Sequence, residues 1–126
     1  MMVETKDGLV VAHNRSFPPG MYSFITGFLE AGEAPEAAAV REVEEELALT
    51  ATRTEFLGAY PFSRMNQLIL MYHVFAEGTI RLNEELDDFR FVQRSDLLGY
   101  AETGRFETAL WLEQLRVLRQ EVVLPA

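Results

Sequence analysis

The stretch that most constrains this chain runs from Gly27 to Leu49, GFLEAGEAPEAAAVREVEEELAL. A turn bounded by Gly27 and Gly32 delivers the chain to Pro35, whose fixed φ and missing amide suit a first helical residue. A helix is expected from about Pro35 to Leu47. Its middle, Ala37-Ala38-Ala39, has high helix propensity and little bulk to keep it off a sheet. On that helix Arg41, Glu42, Glu45 and Glu46 fall on neighbouring rows of one face. Val40, Val43 and Leu47 point the other way, as the apolar stripe of a half-buried helix. Like charges at i and i+4, such as Glu42 and Glu46, destabilise a helix by roughly 0.2–0.5 kcal/mol. Carboxylates kept against that cost, beside a glycine turn, ask for a cation. Hard oxygen donors favour magnesium, manganese or calcium over zinc. An acidic helix face is more often merely solvated, and Glu44 is read that way.

The same residues resemble the signature of the Nudix hydrolases: Gly, five residues, Glu, seven residues, then Arg-Glu-apolar-x-Glu-Glu-x-Gly-apolar. Here it reads Gly27, Glu33 and Arg41-Glu42-Val43-Glu44-Glu45-Glu46-Leu47-Ala48-Leu49. One position departs, Ala48 for glycine. A glycine there would end the helix in left-handed backbone. Alanine in that conformation costs on the order of 1–2 kcal/mol, so Ala48 is expected to stay right-handed. The whole chain is similar to the Nudix domain of NADH pyrophosphatase-like members. Tyr60-Pro61-Phe62 matches part of the Gln-Pro-Trp-Pro-Phe-Pro run of that branch, with Gly58 and Tyr60 in place of the glutamine and tryptophan. The branch's cysteine zinc ribbon is missing, because the chain has no cysteine.

The resemblance implies an α+β Nudix fold, a mixed β-sheet sandwiched between helices (α/β/α). It implies hydrolysis of a nucleoside diphosphate linked to X, such as NADH, ADP-ribose or a nucleotide sugar, with Mg2+ (or Mn2+). Carried over by position, Glu42, Glu45, Glu46 and the Gly27 carbonyl are the metal ligands. Arg41 orients the carboxylates by charge-assisted hydrogen bonds. Glu33 braces the turn against the helix, and Glu30 contacts substrate or metal. For the general base, Glu85 matches a glutamate from a later loop, Glu84 is its neighbour, and Glu45 competes. Phe62 or Tyr22 would stack on a nucleobase, although such aromatics are more often core. Two alternatives stay open: a nucleoside triphosphate pyrophosphatase, and a Nudix-fold sensor that binds nucleotide without hydrolysis. A pure sensor has no need of the full set Arg41, Glu42, Glu45 and Glu46.

Length and charge bound the rest. The chain's 126 residues suit a single domain, 1–126. No apolar run approaches the ~20 residues needed to span a bilayer. The start, Met1 to Asp7, lacks the regions of a signal peptide, and with no cysteine a cytoplasmic location is the default. A net charge of −9 disfavours nucleic acid as a partner, leaving a small-molecule nucleotide and no membrane.

Strands are expected at Met1 to Thr5, Leu9 to His13, Tyr22 to Ile25, Thr52 to Tyr60, Gln67 to Ala76, Thr79 to Leu82 and Phe89 to Val92. Lys6-Asp7-Gly8 is a hairpin turn. Gln67 to Ala76 is nearly all apolar, which fits a central strand covered on both faces. Thr79 to Leu82 reads as an edge strand. Ser95 caps a short turn, and a second helix runs from Phe106 to about Arg119, with Trp111 in the core or at an interface. His13 and His73 are assigned packing or surface roles. The short N-terminal strand would expose a sheet edge, so a homodimer that covers it is a further expectation.

Overall fold

The computed structural model describes residues 1–62 and 67–96, except the side chains of 60–62. Met2–Thr5 (β1) and Gly8–Asn14 (β2) fold back on the Lys6-Asp7 turn into an antiparallel hairpin. The Thr5 hydroxyl steadies the turn by accepting the Asp7 amide at 3.1 Å. After the helix Pro35–Leu47 (α1), Thr50–Phe62 (β3) and Gln67–Glu77 (β4) form a longer antiparallel hairpin, and Leu86–Val92 (β5) pairs antiparallel with β2. The strands make one sheet in the order β3-β4-β1-β2-β5. β1 runs parallel to β4, so the sheet is mixed, as expected.

β1 is the middle of this sheet, not an edge. Met2 lies opposite His73 and Val3 opposite Val74, and both Met2 and Val3 are fully buried. β4 takes the hydrogen-bonding side of β1 that was expected to be open, which removes the ground for a second copy there. β4 in turn is not covered along its whole length. Met71, His73 and Val74 are buried, but Leu68 is 67% exposed. β1 starts opposite His73, so among the described residues the first half of β4 pairs with β3 alone and extends past the rest of the sheet.

The shortness of β1 also shapes the route to the glycine turn. β1 pairs β2 at Gly8, Leu9 and Val10, which leaves Ala12 free on that side. Ser23 fills the gap with a single two-bond bridge to Ala12, at 2.8 and 2.9 Å, where a strand was expected at Tyr22 to Ile25. Phe24 and Ile25 are then buried, anchoring the chain just before Gly27.

α1 has the expected bounds and packs Ala39, Val43 and Leu47 against Val3, Val10 and Val74 of the sheet. Val40 does not join this stripe; it is half-buried and lines a surface groove with Ala37, Arg41 and Glu44. Glu46 lies on the buried side instead, at 6% exposure.

Ala48 ends α1 in left-handed backbone, φ 59° and ψ 26°, contrary to expectation. The turn lets Leu49 enter the core at 1% exposure, and burying a leucine is worth about 1.5–3 kcal/mol, enough to offset alanine's strain. Residues 79–82 are likewise not a strand. The Arg81 amide bonds the Leu47 carbonyl at 2.9 Å and the Asn83 amide bonds that of Glu46 at 3.2 Å, satisfying carbonyls that a helix end leaves without partners. β3 outruns its expected bounds by two residues at each end, through Pro61. Ser95 lies inside a 3-10 turn, Arg94–Asp96, rather than capping one. The second expected helix, with Trp111, lies outside the described residues, so the described layer over the sheet is α1.

Candidate active site

Arg41 is the hub of the glycine turn. Its Nε donates to Glu33 Oε2 at 2.7 Å and its Nη2 to Glu33 Oε1 at 2.9 Å, a two-point clamp between turn and helix. Glu33 Oε1 also accepts the Glu30 amide at 3.1 Å, and the Glu33 amide donates to the Glu30 carbonyl at 3.0 Å. The same Nη2 reaches the Phe28 carbonyl at 3.3 Å. Nη1 sits between Glu42 Oε1 at 3.0 Å and Glu45 Oε2 at 3.1 Å, with Glu30 Oε1 at 3.7 Å. The guanidinium holds Glu33 below the usual carboxylate range, and these carboxylates raise Arg41 further.

Gly27 is required by space rather than by an unusual φ. A Cβ there would lie 2.6 Å from Glu42 Oε1 and collide with the rest of that side chain. The turn backbone and the Glu42 carboxyl therefore stand in contact, a closeness that only glycine allows.

Glu42, Glu46 and Glu85 form the second part of the site. Burial raises Glu42; Arg41 opposes this, and Glu45 and Glu85 add to it. Glu46 is pushed up to about 8, first by burial, then by Glu42 and Glu85, and by a hydrogen bond with Glu85. Glu85 arrives on the segment between Asn83 and β5, whose Asn83 amide is bonded to the end of α1. Arg41 is committed to Glu33, Glu42 and Glu45 and makes no bond to Glu46. A buried carboxyl beside two more carboxylates is thus under-neutralised. An oxygen-only donor set of this kind fits a hard divalent cation. Among the described residues, no three acidic, histidine or cysteine side chains yet converge closely enough to grip one ion. Arg41 draws Glu42 and Glu45 to itself instead.

Glu30, Glu33, Glu42 and Glu45 are therefore neighbours of Arg41, and Glu42 and Glu85 of Glu46. Glu45 is the more exposed of the helical set, and Glu84 offers its carbonyl to Arg15. Phe62 closes β3 opposite Gln67, and its side chain is outside the described ones. Tyr22 is buried at 7% exposure and its hydroxyl donates to Asp88, which makes it core.

Three features escaped the sequence reading. Phe28 is 80% exposed beside Arg41, and an apolar pair, Phe28-Leu29, inside a glycine-bounded turn was the available signal. His13 does more than pack: its Nδ1 lies 2.5 Å from Asp87 and its Nε2 3.2 and 3.1 Å from the Phe17 and Pro18 carbonyls. Asp87 above all raises its pKa. Arg15 donates to the segment that carries Glu85, and no local pattern announces that.

An acidic helix on a mixed sheet, braced through an arginine to a glycine turn, defines a class, and comparison supplies its family. A family profile described as the NUDIX domain matches residues 1–115. The chain belongs to the NUDIX family. It is similar to the NAD-capped RNA hydrolase NudC of Pseudomonas putida (strain W619), 32% identical over 99 residues, 77% of this chain and 36% of that protein. It is also similar to the human NAD-capped RNA hydrolase NUDT12, 28% identical over 127 residues, 98% of this chain and 27% of that protein. The chain thus spans about a third of the length of these curated relatives. Among solved structures, the Escherichia coli ORF135 protein shares the fold with a TM-score of 0.69 and 23% identity, covering 99% of this chain and 89% of that one. The NUDIX domain of Shewanella oneidensis NrtR, solved with ADP ribose, gives 0.63 at 15% identity, covering 78% and 72%. These likenesses establish the Nudix fold. Among the described residues, no helix is long and apolar enough to cross a membrane.

Proposed function

We propose that this chain, as one domain over residues 1–126, hydrolyses the pyrophosphate linkage of a nucleoside diphosphate linked to X. The substrate class is NADH, ADP-ribose or a nucleotide sugar, and the site of action is cytoplasmic. The observation that carries the reading is Glu46, a carboxyl raised first by its burial, then by Glu42 and Glu85, and left unbonded by Arg41. Mg2+ or Mn2+ would be held by Glu42, Glu45, Glu46 and the Gly27 carbonyl. When bound, the ion supplies charge neutralisation for the diphosphate and a water of lowered pKa.

The chain's own groups do the rest. Glu33 and Arg41 hold the turn at a fixed distance from α1. Arg41 keeps Glu42 and Glu45 oriented beside the turn, where they would hold the cation. Glu85 accepts the proton of the attacking water, with Glu45 as the rival base. Phe28, exposed beside the acids, offers a face on which a flat base can stack. Glu30, at the rim of the turn, is placed to meet substrate.

The test is a substrate panel with product identification: NADH, NAD, ADP-ribose, nucleotide sugars, nucleoside triphosphates and an NAD-capped RNA. Assays run with Mg2+, Mn2+ or chelator. Metal-dependent release of a mononucleotide from a diphosphate-linked substrate is expected, with a loss of about 10²–10⁴-fold in Glu85→Gln. Tight nucleotide binding without turnover would replace this reading with a sensor.

A further inference from the structure

The segment that delivers Glu85 is held by residues far from the signature. A β-bulge between His13 and Asn14 shifts the register of β2 against β5. Beyond it, Arg15 meets two successive carbonyls: its amide bonds that of Glu85 at 3.0 Å, and its Nε that of Glu84 at 2.8 Å. From the other side, Asn83 accepts the Glu85 amide on Oδ1 at 3.1 Å, while its own amide reaches the Glu46 carbonyl at 3.2 Å. Both faces of the Glu84–Glu85 peptide unit are therefore fixed, one to β2 and one to the end of α1. Buried Leu86 anchors the far end of the turn, its amide on the Asn83 carbonyl at 3.4 Å, but Glu84 and Glu85 are themselves exposed, so these four bonds orient the peptide that carries the Glu85 carboxyl.

We propose that Arg15 and Asn83 are positioning residues for Glu85: they lock the Glu84–Glu85 turn so that the Glu85 carboxyl stands beside Glu46. Neither touches the reacting atoms. Arg15→Ala keeps the backbone bond to Glu85 but removes the one to Glu84, and the turn then samples other orientations. Misplacing a base by about 1 Å can cost on the order of 100-fold in rate. This inference rests on the reading of Glu85 as the base.

The experiment compares wild type, Arg15→Ala, Arg15→Lys, Asn83→Ala, Glu85→Gln and the double variant Arg15→Ala/Glu85→Gln. On a substrate from the panel, Arg15→Ala and Asn83→Ala are expected to lower kcat about 10- to 100-fold with KM within about twofold. Arg15→Lys, which can still donate to the Glu84 carbonyl, recovers part of the loss. In the Glu85→Gln background, Arg15→Ala adds less than about twofold, since a base already removed cannot be misplaced. Amide hydrogen exchange is read in parallel, and Arg15→Ala speeds exchange at Glu85 and Leu86 by about tenfold with little change in Tm. Equal losses with and without Glu85 would overturn the proposal, as would unchanged exchange at those amides. If the wild-type chain turns over nothing, the hydrolase reading fails, and exchange alone decides whether Arg15 fixes the turn.

Discussion

Replacing Glu46 by glutamine tests the physical core of the site without relying on a substrate. Glu46 is 6% exposed, and its carboxyl is pushed from 4.5 to about 8 by burial, then by Glu42 and Glu85. A carboxyl that binds its proton more tightly folded than unfolded makes stability fall as pH rises between those two values, levelling off above the higher one. At about 1.36 kcal/mol per unit, the cost by about pH 7 is on the order of 3 kcal/mol. Glutamine keeps the shape and a donor for Glu85 but never ionises, and its buried amide still costs something. The expected net gain in chelator at about pH 8 is therefore about 1–2 kcal/mol, or roughly 5 °C in Tm for a domain of this length. At about pH 5, where wild-type Glu46 is protonated, that gain is gone and the cost of the amide leaves the variant slightly below wild type. Excess Mg2+ reverses the order at the higher pH, because an ion that binds the folded state stabilises wild type by mass action and the variant less. Thermal unfolding by circular dichroism, with chelator and with Mg2+, reads all three conditions. A variant that melts below wild type in chelator at about pH 8 would refute the claim that this cluster is short of positive charge.

Other consequences follow from single contacts. Gly27→Ala places a methyl group on the Glu42 carboxyl. It is expected to cost about 1–3 kcal/mol in urea unfolding and to weaken Mn2+ binding measured by electron paramagnetic resonance. Ala48→Gly relieves left-handed strain at the end of α1 and should raise stability by about 0.5–1 kcal/mol, after the greater freedom of glycine in the unfolded chain is subtracted. An acid limb comes from the other face of the molecule, where His73 Nε2 meets Glu4 at 2.8 Å and Arg94 pairs with Glu4. Burial pulls His73 below 6.5, and Glu4, despite partial burial, is held below 4.5 by Arg94 and His73. Both bind fewer protons folded than unfolded, so the contribution of this pair to stability drops as pH falls through about 6.5 and again through about 4.5, opposite in sign to that of Glu46. Urea midpoints measured down to about pH 4 in the Glu46→Gln background, which removes the opposite pH dependence of Glu46, should show the drop, and adding Glu4→Gln should flatten its lower part.

How much of this was legible in the sequence follows from the range of each interaction. The bounds of α1 were readable because Pro35, the alanine run and the stripe Ala39-Val43-Leu47 are local signals. The clamp of Arg41 on Glu33 was readable as a motif, since both its partners lie within one turn–helix unit. Local propensity then misjudged Ala48, where burial of Leu49 outweighed the strain of a single residue. It misjudged residues 79–82 as well, where carbonyls at the end of α1 gave the backbone better partners than a sheet edge. The order of strands was not legible, because β1 pairs with β4 across some seventy residues and nothing in Met2–Thr5 names its neighbour. That pairing has a functional consequence. Placing β1 in the middle puts β2 next to β5, and the bulge of β2 then carries Arg15 to the Glu84–Glu85 turn. The signature on α1 supplies the carboxylates, but the geometry of Glu85 against Glu46 is set by a strand order that no window of the chain contains. Substitutions at Arg15 or Asn83 should accordingly reach the site as strongly as some within the signature, although neither residue belongs to it.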